Sequence, residues 1–600
     1  MTRATRKTIP SQRSSLHVFV LVAMLCGHAA TVGADSCVAQ EFSVTVDSGV
    51  RVRMRDGVML MADVYRPNAP GRFPVLLERT PYNRQDPDTG LFLASHGYVV
   101  VLQDTRGRYA SEGEFYPFRH EGLDGYDTIE WAAALDYSDG KVGMFGGSYV
   151  GATQMLAAAA APQHLVAIFP YVTASEYYDG WTYQSGALMQ WFASSWTTGL
   201  AEDTLRRKAS ALAQPSRWVQ QLPIESYRLV AFPGAGDLAP YFRDWIEHES
   251  SDDYWRQWKV SDRYGKMTVK ALHAGGWHDI FLKGSIGNYV GMRKGAATAE
   301  AREGQRLLVG PWAHAETSPE GKIGDVTFGK AAVMDMARTI LNWSDYALKG
   351  RTNEYATGAP VRIFIMGENA WRDEQEFPLA RARTTRLFLK SDRGARTSSG
   401  DGLLAADPPK GGPADTFVYD PQNAVPTVGG RLCCGQALRP GPFDQRPLES
   451  RQDVLVFSTP PLEKDTEVTG FITVELYAAS SAADTDFTAI LADVEPDGYA
   501  RFLTDGIVRA RYRNSTEKAE PIEPGKIYKY TIDLWATANL FKAGHRIRLY
   551  VSSSNFPRFN RNLNTGEPNL GATRMQTATQ TIYHDAAHPS ALVLPVIPRP

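Results

Sequence analysis

Apolar positions in the first third of the chain come in short consecutive runs bounded by turn residues. Val52-Arg53-Met54 and Leu60 to Tyr65 are β-rich, and Pro74 to Glu78 and Tyr98 to Leu102 are compact runs with little alternation. That texture belongs to strands buried on both faces of a sheet. Glu121 to Leu135 then carries Ile129, Trp131, Ala132 and Leu135 at helical spacing. Lys141 to Phe145 reads as a strand, Tyr149 to Ala161 as an alanine-rich helix, and Leu165 to Pro170 as another strand. Strand and helix alternate, so the first unit is expected to be a largely parallel α/β sheet.

After Pro170 the texture changes. Residues 171–266 are rich in Trp and Tyr, lack buried-strand runs, and look helical over Ala201 to Leu212 and Leu238 to Glu249. An insertion this long between strands is usually functional, and it is expected to form a helical cap. Buried-strand runs return at Met267 to Leu272 and Arg306 to Val309, and a helix from Lys330 to Leu348 closes the unit. From about Pro360 the chain reads as all-β, opening with Val361 to Met366. In Arg546 to Ser552, Ile547, Leu549 and Val551 alternate with Arg546, Arg548 and Tyr550, the period of a strand with one buried face. Many such strands with Gly/Pro turns point to a β-sandwich or jelly roll. The expected organisation is therefore an α/β unit over 45–170 and 267–355, a helical cap over 171–266 and a β domain over 356–600.

Composition narrows the class. The 600 residues are 43% hydrophobic and 22% charged with net charge −2, which offers no basic face for nucleic acid. Arg3, Arg6, Lys7 and Arg13 precede the apolar run Leu16 to Cys26, and small residues end at Thr31-Val32-Gly33-Ala34. This order is that of a secretory signal peptide over 1–34, and it implies a secreted or periplasmic protein with no membrane anchor after cleavage. An uncleaved signal anchor is the alternative. Cleavage leaves Cys37, Cys433 and Cys434, for which a bond between neighbours, a link from Cys37, or free thiols all stay open.

The stretch Gly143-Met144-Phe145-Gly146-Gly147-Ser148-Tyr149-Val150-Gly151 joins a buried strand to a helix, the context of a nucleophile elbow. A sharp turn there lifts the serine hydroxyl above the sheet and requires tiny neighbours. The usual G-x-S-x-G places glycine at 150, whereas here it falls at 151. A serine hydroxyl needs a base, and in this arrangement the partners follow in the order Ser, Asp, His on loops after later strands. Gly276-Trp277-His278-Asp279 follows one such strand and Gly310-Pro311-Trp312-Ala313-His314 the next. Ser148, Asp279 and His314 are thus the candidate nucleophile, orienting acid and base. His278 and His273 are alternatives to His314 but lie on the wrong strand or before the acid. The Tyr149 N–H at the helix start is a candidate oxyanion donor, and Tyr82 in Thr80-Pro81-Tyr82-Asn83-Arg84 another, through its hydroxyl or a loop N–H.

Together, Tyr82 with its flanking residues, Gln103-Asp104-Thr105-Arg106-Gly107-Arg108, the Ser148 elbow, Gly276 to Asp279 and Gly310 to His314 resemble the CocE/NonD hydrolases, as do Gly367-Glu368-Asn369 and Asn555 to Phe559 in the β half. The resemblance spans about residues 45–585. It implies an α/β-hydrolase domain with a helical cap, followed by a jelly roll, with glycine at 151 as the family's form of the elbow. It also implies that Tyr82 serves the oxyanion through its hydroxyl. Members acting on amino-acid esters use acidic residues beside the catalytic Asp, whereas Ile280 and Phe281 follow Asp279 here. Trp181, Tyr183, Trp191 and Trp277 are candidates for an apolar acyl pocket, and Asp104 with Arg106 for a structural ion pair. No HExxH, P-loop or Cys/His cluster occurs, so neither metal nor cofactor is expected. The expected activity is hydrolysis of a small ester or amide through an acyl-enzyme. The rivals are an X-prolyl-type exopeptidase and a non-catalytic envelope or glycan-binding protein.

Overall fold

The computed structural model describes residues 42–205, 219–220, 222–226, 239–314, 318–434 and 437–599. Ten strands make the first sheet: β1 (Val44–Arg53), β2 (Met59–Pro67), β3 (Phe73–Thr80), β4 (Val99–Asp104), β5 (Ser138–Gly147), β6 (Leu165–Tyr171), β7 (Lys270–Gly276), β8 (Gln305–Gly310), β9 (Val361–Ile365) and β10 (Ala370–Glu374). Their spatial order is β1-β2-β4-β3-β5-β6-β7-β8-β9-β10. From β4 to β9 every neighbouring pair is parallel, and antiparallel pairs form both margins. Parallelism brings the carboxyl ends of β3, β5, β7 and β8 to one edge, where ligands bind in open α/β sheets.

Among the described residues, seven helices of eight or more residues flank this sheet or cover it: α1 (Pro87–Ser95), α2 (Glu121–Ala133), α3 (Tyr149–Ala159), α4 (Gln190–Leu205), α5 (Pro240–Glu247), α6 (Leu282–Gly295) and α7 (Met336–Ala347). Every residue of α3 is buried, which accounts for its alanines. A helix enclosed on all sides has no polar face, and small side chains let β5 and β6 approach it closely. The helix expected from Lys330 divides into a short 3₁₀ turn, Lys330–Ala332, and α7, whose start is set by Asp335 accepting from the Arg338 N–H at 3.0 Å. In the 171–266 segment, α4 begins earlier than expected and ends at Leu205, and the rest of the helix expected there, 206–212, lies outside the described residues.

The second sheet has eleven strands between Arg383 and Ile597 and is antiparallel apart from one short parallel contact. Two strand assignments change. Val361 to Met366 opens no β domain. Val361–Ile365 is β9, hydrogen-bonded in parallel to β8, so the first sheet runs on to Glu374. Arg546–Ser552 is buried on both faces. The Arg548 guanidinium reaches Ser458 at 2.8 Å, and the Tyr550 hydroxyl donates to Glu449 at 2.8 Å, so its polar positions are satisfied inside rather than solvated.

The described residues pack as one compact unit. The Met366 N–H donates to Ala538 and the Leu540 N–H to Met366, at 3.0 and 2.8 Å. The cap is bound to the β domain likewise, by Trp191 N–H to Pro557 O at 3.0 Å and Arg509 N–H to Ser185 O at 3.1 Å. Cys433 and Cys434 are joined as a disulfide, and Cys37 lies outside the described residues. Asp104 and Arg106 do not pair with each other. Asp104 binds Arg84 at 2.5 Å, and Arg106 binds Asp124 at 2.6 Å and Asp56 at 2.7 Å.

Candidate active site

The elbow begins with backbone geometry. Ser148 has φ 60° and ψ −126°, a strained combination for a residue with a Cβ, and it lies between β5 and α3. Its N–H donates to Tyr171 O at 3.0 Å and its carbonyl accepts from the Thr173 hydroxyl at 2.9 Å, so the strain is held from both sides. The glycines are required sterically. A Cβ on Gly146 would lie 2.2 Å from Val150, on Gly147 2.1 Å from the Tyr171 ring, and on Gly151 2.8 Å from Thr173. Thus Val150 fills the space Gly146 leaves, and close approach to Thr173 puts the third glycine at 151.

The acid and base loops are zipped together. Beyond β7 and β8, the Trp277 N–H donates to Gly310 O at 2.8 Å and the His278 N–H to Trp312 O at 2.9 Å. Asp279 and His314 follow within two residues of the last of these bonds. His314 Nδ1 lies 2.8 Å from Asp279 Oδ1 and His314 Nε2 lies 2.9 Å from Ser148 Oγ. Asp279 is fully buried, and a buried carboxylate is tolerable only with a partner. Accepting from Nδ1–H, it fixes the tautomer in which Nε2 offers its lone pair to the serine.

The competing histidines are elsewhere. The His278 ring is fully buried and packs near Phe328 and Phe502, and burial with the charges of Arg431 and Arg501 pushes its pKa down to about 3. His273 binds Gln305 at 2.9 Å, and burial lowers it to about 4. Both are neutral structural residues.

Tyr82 and Tyr149 converge on the serine in different ways. The Tyr149 hydroxyl donates to Glu121 at 3.0 Å and accepts from the Phe118 N–H at 2.8 Å, while Glu121 binds the buried Arg79 at 2.9 Å. Its side chain is therefore committed, and the backbone N–H is what it offers at the helix start. The Tyr82 residue is 41% exposed, yet its hydroxyl is enclosed at the inner end, where it accepts from the Trp196 indole N–H at 2.9 Å. Burial raises the pKa of that phenol. Hydrogen bonding to Trp196, to the Ser148 side chain and to the Tyr149 N–H, with the charge of Arg108, opposes the rise. It stays protonated at neutral pH, as a donor must.

Of the four aromatic candidates for an acyl pocket, one adjoins the triad. Trp181 stacks on Phe281 at 4.2 Å, and Phe281 meets the His314 ring edge-on at 5.1 Å. Tyr183 is cap core, its hydroxyl donating to Trp245 O at 2.8 Å and its ring stacked on Tyr178. Trp191 packs with Val219, Leu432 and Phe556. Trp277 turns behind the sheet edge, donating to Phe364 O at 2.8 Å. Aromatic composition does not encode direction, so these three are corrected to packing roles. Sequence patterns alone assign neither Trp196 nor Phe281 to the site. Phe281 was within reach, two residues past Asp279, but nothing local marks Trp196. Among the described residues, no group of three His, Cys, Asp or Glu side chains is placed to hold a metal.

Residues 56–316 match the family model of the X-Pro dipeptidyl-peptidases (S15 family), and residues 353–593 match that of their C-terminal non-catalytic domain. Cocaine esterase of Rhodococcus sp. (strain MB1 Bresler) is 38% identical over 92% of this chain and 99% of its own length. Among solved structures, an α-amino acid ester hydrolase superposes with TM-score 0.76 at 26% identity, covering 95% of this chain and 98% of that one. An aminopeptidase from a marine sediment Thaumarchaeota archaeon superposes with TM-score 0.80 at 25% identity, covering 94% and 99%.

Proposed function

Because this chain belongs to the CocE/NonD serine hydrolases of the S15 family, we propose that Ser148, His314 and Asp279 carry out ester hydrolysis through an acyl-enzyme. The observation that carries the reading is the unbroken relay of 2.9 and 2.8 Å from Ser148 through His314 to Asp279. Ser148 Oγ attacks the ester carbonyl as His314 Nε2 takes its proton. Asp279 stays ionised and holds the imidazolium. The carbonyl oxygen becomes the oxyanion, received by the Tyr82 O–H and the Tyr149 N–H. His314 then returns the proton to the departing alcohol. A water, deprotonated by the same nitrogen, cleaves the acyl-enzyme and restores Ser148.

The acyl side favours an uncharged, apolar group. Ile280 and Phe281 follow Asp279 in place of carboxylates, and Phe281 with Trp181 puts aromatic rings beside His314, which supports an esterase over an aminopeptidase. The similarity to cocaine esterase supports the same choice. The protein is further proposed to be exported, with its mature chain beginning near Asp35. N-terminal sequencing of the protein from the extracellular or periplasmic fraction tests this, and an intact Met1 in the cytoplasmic pool would contradict it.

Matched p-nitrophenyl esters and anilides test the activity. The reading requires ester turnover that Ser148→Ala abolishes without loss of fold. Ester turnover retained by that variant would refute it.

A further inference from the structure

One indole of the cap meets the Tyr82 hydroxyl. Trp196 lies on α4, is 4% exposed, and donates from Nε1 to the Tyr82 hydroxyl at 2.9 Å. The indole cannot swing away. It stacks on Tyr149 at 5.6 Å on one side and on Trp245 at 6.0 Å, and its contacts with Trp181 and Phe192 close the cluster. A second tie joins the same two segments. The buried Arg108 donates from Nε to Pro81 O at 2.8 Å and from Nη1 to Leu200 O at 2.7 Å, linking the residue before Tyr82 to the helix that carries Trp196. The Gln103–Arg108 motif thereby acquires a role: its last residue fixes the spacing between the Tyr82 loop and the cap.

A phenol has one proton and two acceptor lone pairs. An indole N–H is a donor only, so it occupies a lone pair and cannot compete for the proton. With the ring fixed and one lone pair taken, the Tyr82 proton is left to turn toward the serine side. Donation into a hydroxyl oxygen also makes that hydroxyl a stronger donor. We propose that Trp196 is a positioning residue for catalysis, a cap-borne donor that orients and strengthens the Tyr82 hydroxyl as oxyanion ligand. This rests on the reading of Tyr82 given above, and the test separates the two.

Steady-state kinetics with p-nitrophenyl acetate, whose acyl group is small, are compared for wild type, Trp196→Phe, Tyr82→Phe and the double variant. Replacement of Trp196 by the isosteric benzothienylalanine, which lacks the N–H, keeps the test valid if Trp196→Phe packs poorly. Loss of one neutral hydrogen bond should lower kcat roughly 3- to 10-fold, with KM changed less than about twofold. In the Tyr82→Phe background the same replacement should change kcat by less than about twofold, because the group it acts through has gone. Multiplicative effects in the double variant, or an effect confined to KM, would overturn the positioning role while leaving the Tyr82 reading intact. Tyr82→Phe indistinguishable from wild type would remove both.

Discussion

A tyrosine hydroxyl stabilises an oxyanion only if it is neutral, near the nucleophile and free to donate, and Tyr82 meets all three conditions through its surroundings. Tyr82→Phe is nearly isosteric, so its effect isolates the hydrogen bond. We expect kcat to fall by roughly 10²–10³-fold, with KM moving little because the bond strengthens as charge develops. A kcat within about twofold of wild type would falsify this role. A second expectation concerns His278, held neutral in the fold with a pKa near 3. The unfolded chain takes up a proton there below about pH 6.5, where histidine ordinarily titrates, so this residue's contribution to stability is lost as pH falls through that region. His278→Asn does not titrate. In denaturant unfolding, its stability deficit relative to wild type should shrink by about 1.4 kcal/mol per pH unit between pH 6 and 4. Parallel pH profiles for the two proteins would contradict it. At this scale the meeting of Ser148, His314 and Asp279 was readable, because the chemistry expected of them fixes residue type, chain order and loop position at once. The partners of Asp104 and Arg106 were not, because nearness in sequence does not decide which way side chains leave a strand end. The roles of Trp191, Trp277 and Trp196 depend on which element faces each indole, and that is set by packing rather than by local sequence.

Among elements, what makes the site is the meeting of the loops after β7 and β8. Gly276 is the point of closest approach, since a Cβ there would lie 2.1 Å from Trp312 O, a backbone atom with little room to yield. Gly276→Ala should therefore push the Asp279 loop away from the His314 loop. We expect kcat to drop at least tenfold while the stability loss stays within the roughly 1–3 kcal/mol typical of overpacking, as measured by kinetics and unfolding on the same preparation. Wild-type kcat with ordinary expression would show that the two loops need not touch there. The buried strands of the first sheet and α3 were legible from consecutive apolar runs. The assignment of Val361–Ile365 was not, because an apolar run of this length looks the same at the end of one sheet as at the start of another. Arg546–Ser552 shows the complementary limit. Alternation implies a solvated face only when the polar positions find no partner inside, and here Glu449 and Ser458 supply partners.

On the scale of the whole molecule, the β domain is built into the rest of the structure. Its strand Tyr528–Phe541 exchanges backbone hydrogen bonds with Met366 at the end of β9, and Pro557 binds the first turns of α4. Limited proteolysis should accordingly yield no stable fragment ending near residue 355 with full activity, and recovery of such a fragment would show the β domain to be dispensable. The same continuity holds α4, and Trp196 with it, against Tyr82 and Tyr149 beside Ser148. The central claim is that Ser148 is the nucleophile of a serine hydrolase activated by His314 and Asp279. The most direct measurement is intact-protein mass spectrometry after exposure to a fluorophosphonate, with peptide mapping of the adduct. A single adduct on Ser148 is expected, lost in Ser148→Ala and slowed strongly in His314→Ala. An adduct on another serine, or labelling of Ser148→Ala at the wild-type rate, would contradict it.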